Sequence, residues 1–314
     1  MTVAILLSTY NGERYLAEML DSILAQTVQD WRLLIRDDGS SDGTHEIIRR
    51  YQARDARIRW LNPEQQENLG VIRSFWTLLQ EEEADAYAFS DQDDVWLPHK
   101  LEVQLAALAR EDASQPVLVY TDLSVVDANL QVLAPSMIKS QSAHANTTLL
   151  AELTENTVTG GVTLINQTLA KLWTGQEKQD LLMHDWYLAL LAASQGQLIY
   201  LDQVTQLYRQ HDQNVLGART LRKRMANWVR PQLLFQKYWA LIHDSQEQAR
   251  NLLELSLEPE SRALVEDFVT ILDQGMVERI RRIFGRGFRK NRCFHTLVFR
   301  TLIITKLFYK RSNP

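Results

Sequence analysis

The sequence predicts an α/β fold, a mostly parallel sheet flanked by helices on both faces, with a helical C-terminal extension. Three observations carry that expectation. Short apolar runs alternate with stretches of helical periodicity through residue 120, the pattern of successive βαβ units. Acidic clusters stand where two of those runs stop, Asp37-Asp38-Gly39-Ser40 and Asp91-Gln92-Asp93-Asp94. Strand punctuation ceases after Gly217.

The elements follow in chain order. Residues 3–8 are an apolar run ending at Thr9-Tyr10-Asn11-Gly12, a strand and then a turn. Tyr15, Leu16, Met19, Leu20, Ile23 and Leu24 recur at helical spacing. Residues 33–35 read as a second strand, and Ile47, Ile48 and Tyr51 mark the next helix. Residues 58–61 form a third strand, and 71–79 a helix behind Asn68-Leu69-Gly70. Residues 87–89 form a fourth strand that stops at Asp91. Pro98 opens a helix through Leu101, Leu105 and Leu108, at a position where its missing N–H costs nothing. Residues 117–120 are a fifth strand, and 128–158 are weakly patterned and expected to be a loop or lid. Gly160-Gly161 leads into a strand at 162–165, 187–191 are helical, and 198–201 and 204–207 read as two strands. The boundary at Gly217 divides the chain into a body, 1–217, and an extension, 218–314.

Composition narrows the function. The single cysteine, Cys293, excludes a disulfide framework and a cysteine metal site and suits a reducing compartment. The apolar run at residues 3–7 is too short for a signal peptide, and no uncharged run approaches the ~18 residues of a membrane span. Residues 1–218 hold 15 Lys and Arg against 30 Asp and Glu, whereas 219–314 hold 19 against 9. An acidic body suits metal-assisted chemistry, and a basic tail suits an anionic surface.

In open sheets of this kind ligands sit beyond the carboxyl ends of the strands, where the acidic clusters lie. Asp91 and Asp93 are two residues apart, so in extended backbone both face one ligand. Hard oxygen ligands suit Mg²⁺ or Mn²⁺ completed by water and a diphosphate. Taken singly, the Asp37–Asp38 segment reads equally as a capped turn, and Asp185 in His184-Asp185-Trp186 reads as a helix cap or as a general base. Arg209 in Tyr208-Arg209-Gln210-His211 can neutralise phosphate oxygens, and a lone histidine such as His211 is more often structural.

Taken together and in this order, the segments resemble inverting family 2 glycosyltransferases with the GT-A fold. The resemblance runs from Ser8-Thr9-Tyr10-Asn11-Gly12 through Asn68-Leu69-Gly70, Asp91-Gln92-Asp93-Asp94-Val95-Trp96-Leu97-Pro98 and Thr159-Gly160-Gly161 to Tyr208-Arg209-Gln210-His211, with residues 37–44 and His184-Asp185-Trp186 between. Residues 146–161 and 207–219 are similar to streptococcal rhamnosyltransferases of rhamnose-rich cell-wall polysaccharides, of the type assigned α-1,3-linked L-rhamnose addition. The resemblance implies that 1–217 is the catalytic domain. It implies that Thr9, Tyr10, Asp38, Arg73, Asp91 and Arg209 bind the nucleotide-sugar, that Asp93 with His211 holds the metal, and that Asp185 is the catalytic base. Gly160, Gly161, Trp96 and Trp186 would line the acceptor side, with core packing an equal alternative for either tryptophan. The family more often has Glu-Asp where His184-Asp185 stands. The implied donor is dTDP-L-rhamnose and the implied acceptor a polyprenyl-diphosphate-linked saccharide.

That acceptor and the basic, apolar tail direct the expectation to the cytoplasmic face of the membrane, with packing on the domain or on a second subunit of a homo-oligomer as the alternative. No nucleic-acid partner is expected, because the tail aromatics sit at helical spacing and not as interleaved stacking platforms. A UDP-hexose donor and a non-catalytic sugar-nucleotide-binding protein are the competing functions.

Overall fold

The computed structural model describes residues 1–64, 67–176, 181–211 and 231–309. Its strands are β1 (Val3–Thr9), β2 (Trp31–Asp37), β3 (Ile58–Trp60), β4 (Ala86–Asp91), β5 (Val95–Trp96), β6 (Val117–Val126), β7 (Val132–Ala134), β8 (Thr163–Asn166) and β9 (Gln197–Arg209). The helices of the body are α1 (Leu16–Leu24), α2 (Thr44–Arg54), α3 (Gly70–Gln80), α4 (Lys100–Leu108), α5 (Leu149–Thr154), α6 (Gln167–Thr174) and α7 (His184–Gln195). Those of the extension are α8 (Pro231–Arg250), α9 (Pro259–Val269), α10 (Met276–Arg286) and α11 (Cys293–Thr305).

All nine strands join one sheet in the order β3-β2-β1-β4-β8-β6-β9-β5, with β7 paired to β6. Strands β1 and β2 are almost wholly buried because helices cover both faces. Their side chains alternate between two cores. Ile5, Leu7, Leu33 and Ile35 pack with α1, α2 and α4, whereas Leu6, Leu34, Leu118 and Tyr120 pack with α3, α6 and α7. The second core continues without a break through Trp239, Phe268, Ile283, Phe288, Phe299 and Leu302 of the extension.

The sheet is mixed where a mostly parallel one was expected. β1, β2, β3 and β4 run parallel, but β8 enters antiparallel between β4 and β6. The reversal places the start of β8 beside the end of β4, with Ala88 opposite Leu164 and Tyr120 opposite Thr163. Residues just before β8 are thereby carried to the same sheet edge as Asp91. The segment 128–158 holds β7, a π-helical turn at Ile138–Ser142 and α5, whose Leu149 and Leu153 are buried. It forms a wall of the body and not a lid. The runs 198–201 and 204–207 belong to one strand, β9, kept continuous by irregularities in its pairing with β6. No sequence signal had marked the two-residue β5, which pairs with β9.

Candidate active site

Four loops converge at the carboxyl edge of the sheet. The first follows β1. Thr9 is buried and its hydroxyl donates to Gln92 Oε1 at 2.5 Å. The Tyr10 N–H donates to the same oxygen at 2.8 Å, while Gln92 Nε2 donates to the Tyr10 carbonyl at 2.9 Å. The amide between the two acidic residues thus clamps the β1 loop to the acidic loop and leaves the Tyr10 ring exposed.

The second loop follows β2 and turns at Gly39, whose φ of +88° favours glycine. Asp37 closes the turn by accepting from the N–H groups of Gly39 and Ser40 and pairing with His45 at 2.8 Å. Asp38 is 4% exposed. Its carboxylate accepts from Arg36 at 2.5 Å, the Leu69 and Gly70 N–H groups at 2.7 and 2.9 Å, and the Ser74 hydroxyl at 3.2 Å. Asp38 therefore fastens the Asn68-Leu69-Gly70 turn to the end of β2. Arg73, one turn into α3, is exposed.

The third loop carries the acidic cluster. His211 Nε2 lies 2.7 Å from Asp93 Oδ2, and the His211 ring tilts against Tyr15 at 5.0 Å. Burial, with the charges of Asp93 and Asp185, pushes the Asp91 carboxyl up to about 7, and Lys100 opposes that rise. Asp94 is wholly buried and accepts from Gln206 Nε2 at 2.5 Å and the Arg209 N–H at 2.9 Å. Arg209 is 2% exposed. Its Nε donates to the Asp93 carbonyl and one terminal nitrogen to the Ala128 carbonyl, both at 2.8 Å, while the other pairs with Glu18. The guanidinium so braces the backbone of the acidic loop.

The fourth loop is the turn Gly160–Val162 before β8. The Gly160 N–H donates to Asp185 Oδ2 at 3.0 Å, and the Trp186 N–H to Oδ1 at 2.6 Å. A Cβ on Gly161 would stand 3.1 Å from Asp91 Oδ2 and 2.6 Å from Gln206 Nε2. The Gly-Gly pair is thus the contact between the acidic loop and Asp185. Burial raises the Asp185 carboxyl to about 6. Asp185 lies in the first turn of α7, whose cap position is Met183, so the capping alternative is not realised.

His184 does not orient Asp185. Its ring is caged by Phe75, Phe89 and Trp173, and neither nitrogen has a hydrogen-bond partner. Burial pushes its imidazole down to about 3, so it is neutral. Trp186 is partly buried with its indole N–H on the Glu152 carbonyl at 3.0 Å. Trp96 takes the core alternative: it is 2% exposed, with the Lys100 ammonium 3.9 Å from its ring centre.

The family assignment can now be made. Residues 4–170 match the family described as Glycosyl transferase family 2. The chain belongs to glycosyl transferase family 2. It is 28% identical over 223 residues to the dTDP-rhamnosyl transferase RfbG of Shigella flexneri, covering 68% of this chain and 74% of that protein. It is 31% identical over 127 residues to an Escherichia coli UDP-Glc:alpha-D-GlcNAc-diphosphoundecaprenol beta-1,3-glucosyltransferase, covering 40% of this chain and 47% of that protein. Among solved structures, S. aureus TarS residues 1–349 in complex with UDP-GlcNAc superposes with a TM-score of 0.59 at 18% identity, over 91% of this chain and 73% of that one. The fold of this family 2 glycosyltransferase is accordingly GT-A-like, a mixed sheet flanked by helices.

Three residues that hold the candidate site together escaped the sequence reading: Gln92, Lys100 and Gln206. Lys100 and Gln104 occupy the same helical stripe as Leu101, Leu105 and Leu108, and polar residues on an inward stripe are the signal that was available. Gln206 carried no comparable mark, because strand β9 was not recognised as a single element.

The extension departs from its expected disposition. Phe299, Leu302 and Ile303 are wholly buried in the core, so for these residues of the tail the alternative of packing on the domain holds. The outward apolar stripe lies on α10 instead, formed by Met276, Val277, Ile280 and Phe284, with Phe294 and Leu297 exposed on the adjacent α11. Residues 276–309 carry nine basic side chains against the single acid Glu278. Several reach inward to carbonyls, as Arg279 does to Gln274 and Ile304 and Arg300 to Phe288. No helix among the described residues is long and apolar enough to cross a membrane.

Proposed function

We propose that this glycosyltransferase moves L-rhamnose from dTDP-β-L-rhamnose to a hydroxyl of a polyprenyl-diphosphate-linked saccharide, forming an α-1,3 linkage in a rhamnan of the cell wall. The single observation that carries the transferase reading is the meeting of Asp91 and Asp185 across Gly160-Gly161, beside the Asp93–His211 pair. Similarity to the Shigella dTDP-rhamnosyl transferase supports the donor.

The chemistry follows from the groups present. The Asp185 carboxylate, ionised at neutral pH, accepts the proton of the acceptor hydroxyl as that oxygen attacks the anomeric carbon. The bond from the anomeric carbon to the diphosphate oxygen breaks from the opposite face, and the nucleoside diphosphate leaves with the bonding pair. One in-line displacement inverts a β-linked donor into an α-linked product. The N–H groups of Gly160 and Trp186 hold both carboxylate oxygens of the base. Asp38 and Gln92 fix the walls around the nucleotide side, where Thr9, Tyr10 and Arg73 sit.

The residues present fit a divalent cation. Asp93 and His211 offer one carboxylate and one imidazole, and Asp91 beside them is raised by burial and then by the charges of Asp93 and Asp185. Among the described residues no group of three His, Cys, Asp or Glu is placed to hold an ion alone, so water and the diphosphate complete the shell. Asp93 and His211 would hold Mg²⁺ or Mn²⁺, which when bound supplies charge neutralisation for the departing diphosphate.

A lipid-borne acceptor brings the enzyme to the cytoplasmic surface of the membrane, and the α10 stripe amid basic side chains is suited to lie there. A UDP-hexose donor is the second reading, favoured by the names of the E. coli relative and the TarS complex. A panel of sugar nucleotides offered with a lipid-linked rhamnosyl acceptor separates them. Transfer from dTDP-rhamnose is expected, and transfer from a UDP-hexose alone would overturn the donor. Asp185→Asn is expected to lower kcat by about 10²–10⁴-fold; undiminished turnover in that variant would remove Asp185 as the base, whereas donor binding with no transfer by the wild type would return the chain to sugar-nucleotide binding without catalysis.

A further inference from the structure

We propose that Lys100, which no substrate can touch, is a positioning residue that fastens the general base to the acidic loop. Lys100 opens α4 and is 0% exposed. Its ammonium donates to the Gly161 carbonyl and to Gln206 Oε1 at 2.6 Å. The far end of Gln206 donates to Asp94 at 2.5 Å. Gly160, the neighbour of Gly161, donates its N–H to Asp185. Hydrogen bonds therefore link Asp94 to Gln206, Gln206 to Lys100 and Lys100 to Gly161, and the Gly160–Gly161 peptide carries the connection to the last hydrogen bond, from Gly160 to Asp185.

One turn further along the same helix face, Gln104 Nε2 donates to the Val162 carbonyl at 2.8 Å. Two successive carbonyls of the turn are thus held by positions i and i+4 of α4. Burial holds the Lys100 ammonium well below the usual lysine value, opposed by the charges of Asp94 and Asp91, and its hydrogen-bond partners come from both halves of the site. Gln104 anchors the turn without charge. Lys100 adds a bond to the acidic side, so it sets the distance between the donor half and the base.

The inference rests on Asp185 being the base, and the test includes a readout that does not. Lys100→Met is expected to keep the fold, since an apolar side chain of similar length replaces the buried cation. Hydrogen exchange at residues 159–163 is expected to accelerate at least tenfold in this variant, with exchange in β1 and β2 unchanged. In transfer assays kcat is expected to fall at least tenfold while KM for the sugar nucleotide moves less than threefold. Gln104→Leu, which loosens the same turn without breaking the link to Asp94, is expected to lower kcat less. Wild-type exchange at 159–163 in Lys100→Met would overturn the proposal whatever the reaction proves to be. So would a loss of kcat that merely follows a fall in melting temperature shared equally by Gln104→Leu.

Discussion

Single side chains set the pH behaviour of this enzyme. As the proposed base Asp185 would act only when ionised, and burial has raised its carboxyl to about 6. We expect log kcat/KM to fall with a slope of one as pH drops below about 6, and Asp185→Asn to abolish that limb along with most of the activity. Glu152 works through stability. Burial raises it to about 8, from 4.5 in the unfolded chain. Between those values the folded state holds a proton that the unfolded state has lost, so stability falls as pH rises through that window. Glu152→Gln should therefore melt about 2 °C or more above the wild type at pH 8, with no advantage at pH 4.5, as read by calorimetry. At this scale the sequence was legible where chemistry is local. Asp91, Asp93 and Asp185 announced themselves as carboxylates at element ends. What could not be read was occupancy: Asp38 and Arg209 spend their polar atoms on loops far away in sequence, 31 residues for Asp38 to Leu69 and 116 for Arg209 to Asp93.

Elements show how far periodicity reaches. The repeats of β1, β2, α1 and α4 matched their structures because each buries a face against a neighbour it meets early in the chain. α10 illustrates the limit. Its inward face, Arg279 and Ile283, and its outward face, Met276, Val277, Ile280 and Phe284, are both partly apolar, and the pattern alone does not say which one solvent sees. The same ambiguity left open whether the apolar residues of α11 face a membrane or the domain, and Phe299, Leu302 and Ile303 face the domain. The corrected face makes a sharper test. Val277→Glu with Ile280→Glu should abolish flotation with anionic vesicles while leaving the melting temperature within about 2 °C, because both side chains are exposed. Flotation equal to wild type would remove α10 from the membrane contact.

Across the molecule, the extension and the sheet share one apolar core, from Leu6 and Leu118 to Phe268 and Ile303. Removing residues 231–314 is therefore expected to expose that core and give aggregated protein in size-exclusion chromatography, not a working catalytic fragment. The alternation of strands and helices disclosed the layered architecture in advance, but the antiparallel course of β8 was invisible because a four-residue apolar run carries no sign of direction. That course has a temporal side. As the polypeptide leaves the ribosome, the acidic loop at Asp91 emerges about 70 residues before the Gly-Gly turn that must meet it, and Asp93 precedes its partner His211 by 118. The parallel quartet β3-β2-β1-β4 can assemble early from near neighbours, whereas the reaction centre closes only when later strands insert beside it. Nascent chains stalled short of β8 should consequently show a compact half-sheet that transfers no sugar.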